Sequence, residues 1–444
     1  MGKIDQLAET AGKVKLKILI VQPTGDKPGH FEIHTTYMAQ ELAKMGHKVT
    51  VITNQLNPQR HLKGKVLFRL LQDESRKYSF VDLENNRKSD PLSYWLGYYR
   101  NSWFFLRRGL ELAKAESYDA AYVTDVEFLV ATILCKLYRK TLPPIVMQVN
   151  ASNFSFADYP GSIIKKIYKA FQAFCFRSVI GKGIAAFSVL GEWHISRLRQ
   201  QLKIPKKFPI AFIPDGSNPE YQKENRATAR PKLGIDPDLC VFLFLGVLRK
   251  EKGLATLASA FHILEKKGQK VGLILAGSPF DYSEKEIQVL FAKGIPEGWL
   301  VHQKLNFIPE EEMPLYFGAA DCFLMPYEKT YNSSSGTLFK GVCTYGIPVI
   351  CSEVGEMGVL VKRHDLGLLC EPGNAGSLAL AMERFLESSV DQRSRWSANA
   401  KRVSKENSWE SLAKRYDLLF NQLLQNRASQ LEACTKNQKN LPQY

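Results

Sequence analysis

The chain lacks any segment that is long and apolar enough to cross a membrane, and its opening residues predict no secretory leader. No uncharged apolar run reaches the roughly 18 residues that a membrane-spanning helix needs. The opening residues, MGKIDQLAETAGK, lack the apolar stretch of a secretory signal, and Gln6 breaks the myristoylation pattern that Gly2 would begin. We therefore expect a soluble, cytoplasmic protein.

Cysteine is scarce as well, at eight in 444 residues. No two cysteines form a Cys-x-x-Cys pair or have the spacing of a zinc site, which excludes a disulfide scaffold and a zinc module. The acidic residues are scattered and form no cluster with histidine, so we predict neither a metal ion nor a resident cofactor. Gly25 and Gly29 follow the first apolar run without the G-x-G-x-x-G spacing of a dinucleotide site.

Positive charge is what the chain has in excess, and its distribution is uneven. Sixty Lys and Arg residues oppose 44 Asp and Glu, a net charge of +16. Residues 1–215 contribute +14 and residues 216–444 only +2. This asymmetry indicates that the first half faces a polyanion or an anionic membrane. No helix-turn-helix, zinc-finger or RNA-recognition signature accompanies the charge, so we expect no nucleic-acid partner.

Apolar, β-branched runs alternate with helical patterns along both halves of the chain. Ten runs are typical of buried strands: 15–23, 48–54, 120–125, 144–150 and 184–190, then 240–246, 270–277, 321–326, 347–353 and 366–373. A helical pattern near 32–46 lies between the first two strands, and such a βαβ unit requires parallel pairing. The fold class is therefore α/β, with two doubly wound Rossmann-like domains.

A stretch rich in Pro, Gly and Asn, residues 214–222, separates the two halves. We place the domains at 1–214 and 215–406. The last apolar helical pattern covers 409–424, and the polar tail 425–444 is predicted to be loose.

Two loops in the second half carry groups that bind anions. GVLRKEKG, residues 246–253, supplies Arg249 and Lys252 just past a strand, where they would neutralise a diphosphate. The segment 331–350 has three serines and a glycine before a helical pattern, and such a helix start binds anions through its hydroxyl and N–H groups. A solvated basic turn and an ordinary serine cap are the respective alternatives.

These segments together resemble glycosyltransferase family 4. The resemblance runs through GVLRKEKGLATLASAF, NFIPEEEMPLYFGAADCFLMPYEKTYNSSSG and GIPVICSEVGEMGVLV, and LAKMGHKVTVIT matches the opening of the family. It implies a GT-B fold, in which two Rossmann-like domains face a central cleft, and transfer from a nucleotide-sugar donor with retention. The first domain would bind the acceptor, joined by the returning helix at about 407–424, and the second would bind the donor.

The resemblance also assigns residues to the donor. Lys252 matches the phosphate-contacting lysine of the family, whereas Arg249 lies two residues beyond Val247, where the family usually has its arginine. Two glutamates usually precede the Gly-x-Pro-Val turn, but counting back from Gly346 their positions hold Ser333 and Gly341. Further donor-binding residues are then expected among glycines and hydroxyl groups: Gly29, Gly277, Ser333, Ser334, Ser335, Gly336 and Thr337. Glu328 is a nearby carboxylate out of register.

The acceptor is expected against the first half. Asn150 stands where many family members have a histidine, and it can orient a hydroxyl group but cannot act as a base. His30 and Asp125 are assigned to the acceptor side. We predict no protein nucleophile, because the leaving phosphate can take the acceptor proton in a front-face mechanism.

Two basic aromatic segments account for much of the charge of the first half. Residues 162–182 predict a helix with apolar residues on one side and lysines mostly elsewhere, and residues 93–109 combine Trp, Tyr, Phe and Arg. Both compositions suit an anionic membrane interface. The alternative is a pair of core helices with solvated basic faces.

Three functions stay open from the sequence. The first is transfer to a lipid-linked or membrane-proximal acceptor in glycolipid or polysaccharide synthesis. The second is a non-catalytic binding or scaffold subunit, suggested by the missing glutamates. The third is transfer to a soluble metabolite.

Overall fold

A computed structural model describes residues 14–25, 30–54, 66–70, 91–149, 154, 162–331 and 336–439. The chain divides after Pro214 and again after Ser408, and the segment that begins at Trp409 belongs with the first unit. Each unit is an open parallel sheet covered by helices on both faces, which explains why its strands are apolar along their whole length.

The sheet of the first unit has seven strands in its described residues, in the order β3-β2-β1-β4-β5-β6-β7, all parallel. They are β1 Lys17–Gln22, β2 Lys48–Thr53, β3 Val66–Leu70, β4 Ala120–Val123, β5 Ile145–Val149, β6 Ile184–Val189 and β7 Ile210–Phe212. Strands β3 and β7 were not predicted. They stand at the two edges of the sheet, and β7 is only three residues long.

In the described residues, five helices connect these strands: α1 His30–Lys44, α2 Pro91–Glu116, α3 Phe128–Leu137, α4 Ile163–Arg177 and α5 Trp193–Gln201. Helices α2, α3 and α4 lie side by side on one face of the sheet, where Phe105, Leu134 and Phe176 are buried in one core cluster. Helix α1 packs on the other face. Helix α4 is shorter than the helix predicted at 162–182, because the chain turns after Arg177 before it enters β6.

The second unit holds six described strands in the order β10-β9-β8-β11-β12-β13, again all parallel. They are β8 Cys240–Leu245, β9 Val271–Ala276, β10 Leu300–Lys304, β11 Cys322–Met325, β12 Val349–Ser352 and β13 Gly367–Cys370. Strand β10, with the sequence LVHQK, was not predicted, because it is a half-exposed edge strand without a continuous apolar run.

Helices cover both faces of this second sheet. They are α6 Arg226–Lys232, α7 Leu254–Lys266, α8 Glu284–Gly294, α9 Met313–Ala319, α10 Gly355–His364, α11 Ala375–Glu387 and α12 Val390–Glu406. A 3₁₀ helix, Lys250–Lys252, follows β8, and a π-helix, Leu338–Cys343, precedes β12.

The last helix, α13, runs from Trp409 to Lys439, so the prediction of a loose tail from residue 425 was wrong. The segment contains no Gly or Pro before Pro442, and nothing in its backbone chemistry ends the helix earlier. Arg427, beyond the predicted end, donates a hydrogen bond to the carbonyl of Leu142 at 3.0 Å. The side chains of Tyr416 and Phe420 are buried in the core of the first unit.

Candidate functional site

Ligands of open parallel sheets bind beyond the carboxyl ends of the strands, at the point where the strand order reverses. In the second unit this point lies between β8 and β11, and in the first between β1 and β4. The loops after these strands hold the candidate donor and acceptor residues.

Two glycines allow the loops after β8 and β9 to approach closely at the carboxyl edge of the second sheet, where the donor is expected. Gly246 follows β8 and Gly277 follows β9, and both have positive φ, +137° and +143°. A Cβ atom on Gly277 would lie 1.8 Å from the carbonyl oxygen of Gly246, so no larger residue fits without moving the loop. The predicted donor residue Gly277 is therefore a contact between two loops at the carboxyl edge.

Lys252 ends the 3₁₀ helix with its ammonium group over the end of β8. A Cβ atom built on Gly246 would lie 3.1 Å from the Lys252 Nζ and 3.8 Å from the Thr337 Oγ1. Burial, followed by the nearby charge of Arg249, lowers the pKa of Lys252 to about 8. A cation, a hydroxyl group and bare backbone thus converge on one small region, which is a chemistry suited to a phosphate.

Gly253 holds the 3₁₀ helix that carries this lysine. Its φ of +74° is left-handed, and a Cβ atom there would lie 1.9 Å from the carbonyl oxygen of Pro326. Lys252 and Gly253 therefore act as a pair. Glycine allows the left-handed backbone and the close approach to Pro326, and this backbone brings the Lys252 ammonium group against the loop after β11.

Arg249 lies on the same loop but faces differently. Its guanidinium carbon stands 4.4 Å from the centre of the Phe280 ring, and its Nη1 is 3.6 Å from a carboxylate oxygen of Glu251. Stacking on an aromatic ring leaves the guanidinium edge available for hydrogen bonds. Arg249 therefore lies on the same loop as Lys252, but its side chain is directed toward Phe280 and Glu251.

The helix start after β11 is only partly described. Ser333, Ser334 and Ser335 lie outside the described residues. Gly336 and Thr337 begin the helical segment, and Thr337 is the residue that approaches Gly246.

The π-helix explains one of the missing glutamates. A Cβ atom built on Gly341 would lie 2.7 Å from the Phe317 Cζ, and Phe317 is fully buried. A carboxylate at this position of the π-helix would enter the core instead of a ligand site.

The out-of-register carboxylate, Glu328, lines an open groove of about 820 Å³ beside the 3₁₀ helix, together with Lys250 and Gly373. Its Oε1 accepts a hydrogen bond from the Thr256 hydroxyl at 2.7 Å. The carboxylate is thus held next to the donor loop by α7, although no sequence count aligns it with either family position.

On the acceptor side, Asp125 follows β4 with a left-handed φ of +53°. Thr24, which follows β1, donates its hydroxyl hydrogen to the Asp125 Oδ2 at 2.6 Å. A left-handed aspartate at a strand end is a strained conformation of the kind that marks functional sites. The predicted residue Asp125 is at the reversal point, and Thr24 is a partner that the sequence analysis missed.

A second carboxylate, Glu127, was also missed, although it follows β4 like Asp125. It caps α3 by accepting a hydrogen bond from the Val130 N–H at 2.9 Å, and it accepts one from the Tyr168 hydroxyl at 2.9 Å. The Gln172 amide is a further donor. Burial raises the pKa of Glu127, and these hydrogen bonds oppose the rise.

The other predicted site residues of the first half have no described side chains. Asn150 and Gly29 lie outside the described residues. His30 is the first residue of α1, and its side chain lies outside the described part of the chain.

The two basic aromatic segments differ in their packing. In 93–109, Trp103, Phe104 and Phe105 pack in the core of the first unit, while Trp95 near the start of α2 is 39% exposed. In 162–182, the apolar side of α4 is exposed instead of buried. The expectation of two core helices with solvated basic faces therefore holds for most of α2 and fails for α4.

Within the described residues, no helix meets the length and hydropathy that a bilayer crossing requires. The same residues contain no group of three or more His, Cys, Asp or Glu side chains placed to hold a metal ion.

The chain is similar in sequence to known glycosyltransferases. Residues 225–403 match the family model described as glycosyl transferases group 1. A Bacillus subtilis glycosyltransferase named for teichuronic acid biosynthesis, TuaC, is 25% identical over 384 residues, which cover 83% of this chain and 88% of that protein. The second unit is therefore a group 1 glycosyltransferase domain, and the chain is a glycosyltransferase.

Solved structures show the same fold. Sucrose-phosphate synthase from Thermosynechococcus elongatus superposes with a TM-score of 0.67 at 17% identity, over 93% of this chain and all of that one. Anabaena HepE in complex with UDP-glucose gives 0.63 at 16%, over 94% of this chain and all of the other. The chain thus has the GT-B fold, two Rossmann-like α/β domains.

Proposed function

We propose that the chain transfers a sugar from a nucleotide diphosphate sugar to an acceptor hydroxyl group, with retention of configuration at the anomeric carbon. The observation that carries the proposal is the convergence of the Lys252 ammonium group, the Thr337 hydroxyl and the bare backbone of Gly246 beyond β8. A diphosphate bound there would meet one cation directly and a second, Arg249, on the same loop. Binding of UDP-glucose by the fold neighbour HepE supports this donor class.

In the proposed reaction the bond from the anomeric carbon to the diphosphate oxygen breaks, and a bond to the acceptor oxygen forms on the same face of the sugar. The leaving phosphate takes the proton of the acceptor hydroxyl. Lys252 and Arg249 stabilise the charge that grows on the diphosphate, which is the usual role of cations in phosphate departure. Neither a protein nucleophile nor a metal ion enters this scheme.

The acceptor in this proposal is a lipid-linked or membrane-proximal glycan, and the enzyme works as a peripheral protein at the cytoplasmic face. The similarity to a relative named for teichuronic acid biosynthesis supports a polysaccharide acceptor. The excess of +14 in residues 1–215 favours an acceptor presented at an anionic surface. Asp125, held by Thr24 at the strand-order reversal, is the residue that would orient its hydroxyl group.

The test is turnover against a panel of UDP-, GDP- and ADP-sugars, followed as donor hydrolysis or transfer. We expect at least one donor to be consumed, and Lys252→Ala to lower kcat/KM by about a hundredfold or more. Lys250→Ala is the matched control, because Lys250 lies in the same 3₁₀ helix with an exposed side chain. Equal losses in the two variants would contradict the assignment.

A non-catalytic binding subunit is the second candidate. The observation that favours it is Gly341, whose position faces Phe317 and offers the donor no carboxylate. This candidate predicts that UDP binds with an affinity that depends on Lys252 while no donor in the panel is consumed. Calorimetric titration of UDP, run beside the turnover panel, separates the two functions.

A further inference from the structure

The outward side of α4 is apolar. Its five large apolar side chains are 56–74% exposed: Ile163, Ile164, Ile167, Phe171 and Phe174. Spacings of three and four residues place four of them along one stripe, with Ile164 beside it. A helix of a soluble domain normally turns such a stripe toward its core, so this helix is inverted.

Hydrogen bonds on the inward side hold α4 in this orientation. Tyr168 and Gln172 both donate to the carboxylate of Glu127, and Phe176 is fully buried in the core of the first unit. Lys169 donates to the Gln172 Oε1 at 2.8 Å. Rotation of the helix to bury its stripe would remove two donors from a buried carboxylate, which is costly.

The exposed apolar surface continues onto the neighbouring helices. Helix α3 packs against both α2 and α4, and all three lie on the same face of the sheet. Five further apolar side chains on α2 and α3 are 39–69% exposed: Leu92, Trp95, Leu96, Ile133 and Leu137. We call these ten side chains on α2, α3 and α4 the outer apolar face.

Around α3 and α4 this face is accompanied by cations and no acid, whereas α2 also carries Glu111 and Glu116. Residues 128–149 and 162–182 contain eight Lys and Arg residues and no Asp or Glu: Lys136, Arg139, Lys140, Lys165, Lys166, Lys169, Arg177 and Lys182. A second copy of the chain would bring these like charges together across the face. An anionic surface with an apolar interior complements both the stripe and its charge.

We propose that the outer apolar face docks on an anionic lipid bilayer, with α4 lying in the headgroup region and its stripe toward the acyl chains. Helices of a parallel α/β sheet run opposite to its strands, so the amino ends of α2 and α4 lie at the carboxyl edge that holds Asp125. Docking would thus present the acceptor side at headgroup level. The purpose of the docking rests on the proposed function, whereas the docking itself does not.

The test is flotation of the full chain with vesicles that contain about 30% phosphatidylglycerol, without any sugar donor. We expect the chain to float at low salt and much less with pure phosphatidylcholine or near 1 M salt. The variant Ile164→Gln/Phe174→Gln should lower vesicle binding at least about tenfold. Its matched control, Leu380→Gln/Val390→Gln, removes exposed apolar side chains from the second unit and should float like the wild type.

Charge is tested separately. Lys165→Gln/Lys166→Gln should lower binding about tenfold, and Lys266→Gln/Lys285→Gln, which removes equal charge from the second unit, should change it little. Three results would overturn the proposal: no flotation at low salt, equal flotation of the apolar variant and its control, or a dimer in sedimentation that Ile164→Gln/Phe174→Gln dissociates. Donor hydrolysis measured without vesicles keeps the two claims apart, because a wild-type chain that hydrolyses donor but does not float contradicts docking alone.

Discussion

At the scale of single residues, Lys252 is a cation whose charge depends on its surroundings. Burial and the neighbouring Arg249 lower its pKa to about 8, against 10.5 for an ordinary lysine. A diphosphate beside the ammonium group would favour the charged form and raise this pKa again. Donor binding and protonation of Lys252 are therefore linked.

We expect the affinity for UDP to fall as the pH rises through about 8, by up to about tenfold per pH unit above that value, because the free protein then loses the proton that the complex retains. Lys252→Arg should flatten the profile, since arginine stays charged at this pH. Calorimetric titration of UDP from pH 7 to pH 9.5 measures both. An affinity that stays constant in the wild type would contradict the role of Lys252.

Gly341 is a residue whose small size the core requires. We expect Gly341→Ala to destabilise the second unit by about 1–3 kcal/mol, because its Cβ atom would lie 2.7 Å from the Phe317 ring. Phe317→Leu should lessen this penalty in the double variant, which urea denaturation of the four proteins would show as a coupling energy. Additive effects would place Gly341 away from Phe317.

At the scale of elements, one arginine joins α6 to two strand starts. The side chain of Arg230 is 1% exposed and pairs with Asp321 at 2.7 Å, next to β11. Its other hydrogen bonds go to backbone carbonyls: Asp236, Pro237, Leu239 and Ala319. Three of these carbonyls lie in the loop between α6 and β8, so Arg230 fixes the backbone that leads into β8.

We expect Arg230→Ala to lower the free energy of unfolding by about 3–5 kcal/mol, because it removes the buried cation that pairs with Asp321 together with its hydrogen bonds to four backbone carbonyls. Arg226→Ala is the matched control. Arg226 pairs with the other oxygen of Asp321 at 3.0 Å, but its side chain is 48% exposed, so the loss should be about 0–1 kcal/mol. Urea denaturation measures both, and similar losses would contradict the assigned role of Arg230.

At the scale of the whole molecule, the chain returns at its end to the unit in which it began. The His47 Nδ1 accepts the Leu16 N–H at 3.1 Å, and its Nε2 stands 3.3 Å from the Asp417 Oδ1. Both side chains are fully buried, and they join the start of β1 to the middle of α13. The first unit therefore needs residues from both ends of the chain.

We expect Asp417→Ala to destabilise the first unit by about 2–4 kcal/mol, because it removes the fully buried carboxylate that lies 3.3 Å from the His47 Nε2 and accepts a hydrogen bond from the Asn421 side-chain amide at 2.7 Å. Glu410→Ala on the same helix is the control, since Glu410 is exposed and its ion pair with Lys414 is exposed too. It should cost about 0–0.5 kcal/mol. Thermal unfolding of both variants would test this, and an unchanged Tm in Asp417→Ala would contradict it.

The sequence predicted the interior of the fold better than its edges. Nine of the ten predicted strands are apolar runs inside the sheets, and the tenth, β13, is a partly buried edge strand. The three strands that were missed, β3, β7 and β10, are all edge strands, and β7 and β10 are short or half-exposed. The site divides in the same way. Lys252 and Gly277 follow from strand ends, but Thr24 and Glu127 become visible only when strands from distant parts of the chain meet.

The inversion of α4 shows why periodicity alone is insufficient. Its apolar spacing is regular, yet the hydrogen bonds of Glu127 decide which side faces inward. In the same way, counting residues back from Gly346 identifies position 341, but it cannot show that a side chain at this position of the π-helix would enter the core. Both outcomes depend on tertiary contacts that local patterns do not contain.

The central claim is that the chain moves a sugar from a nucleotide donor with retention. Proton NMR of the anomeric signals, recorded from the first minutes of reaction with a panel of UDP-, GDP- and ADP-sugars, tests it most directly. We predict that at least one α-linked donor is consumed, that the first product signal is that of the α-anomer, and that Lys252→Ala loses the signal. A β-anomer as the first product, or no consumption of any donor, would contradict the claim.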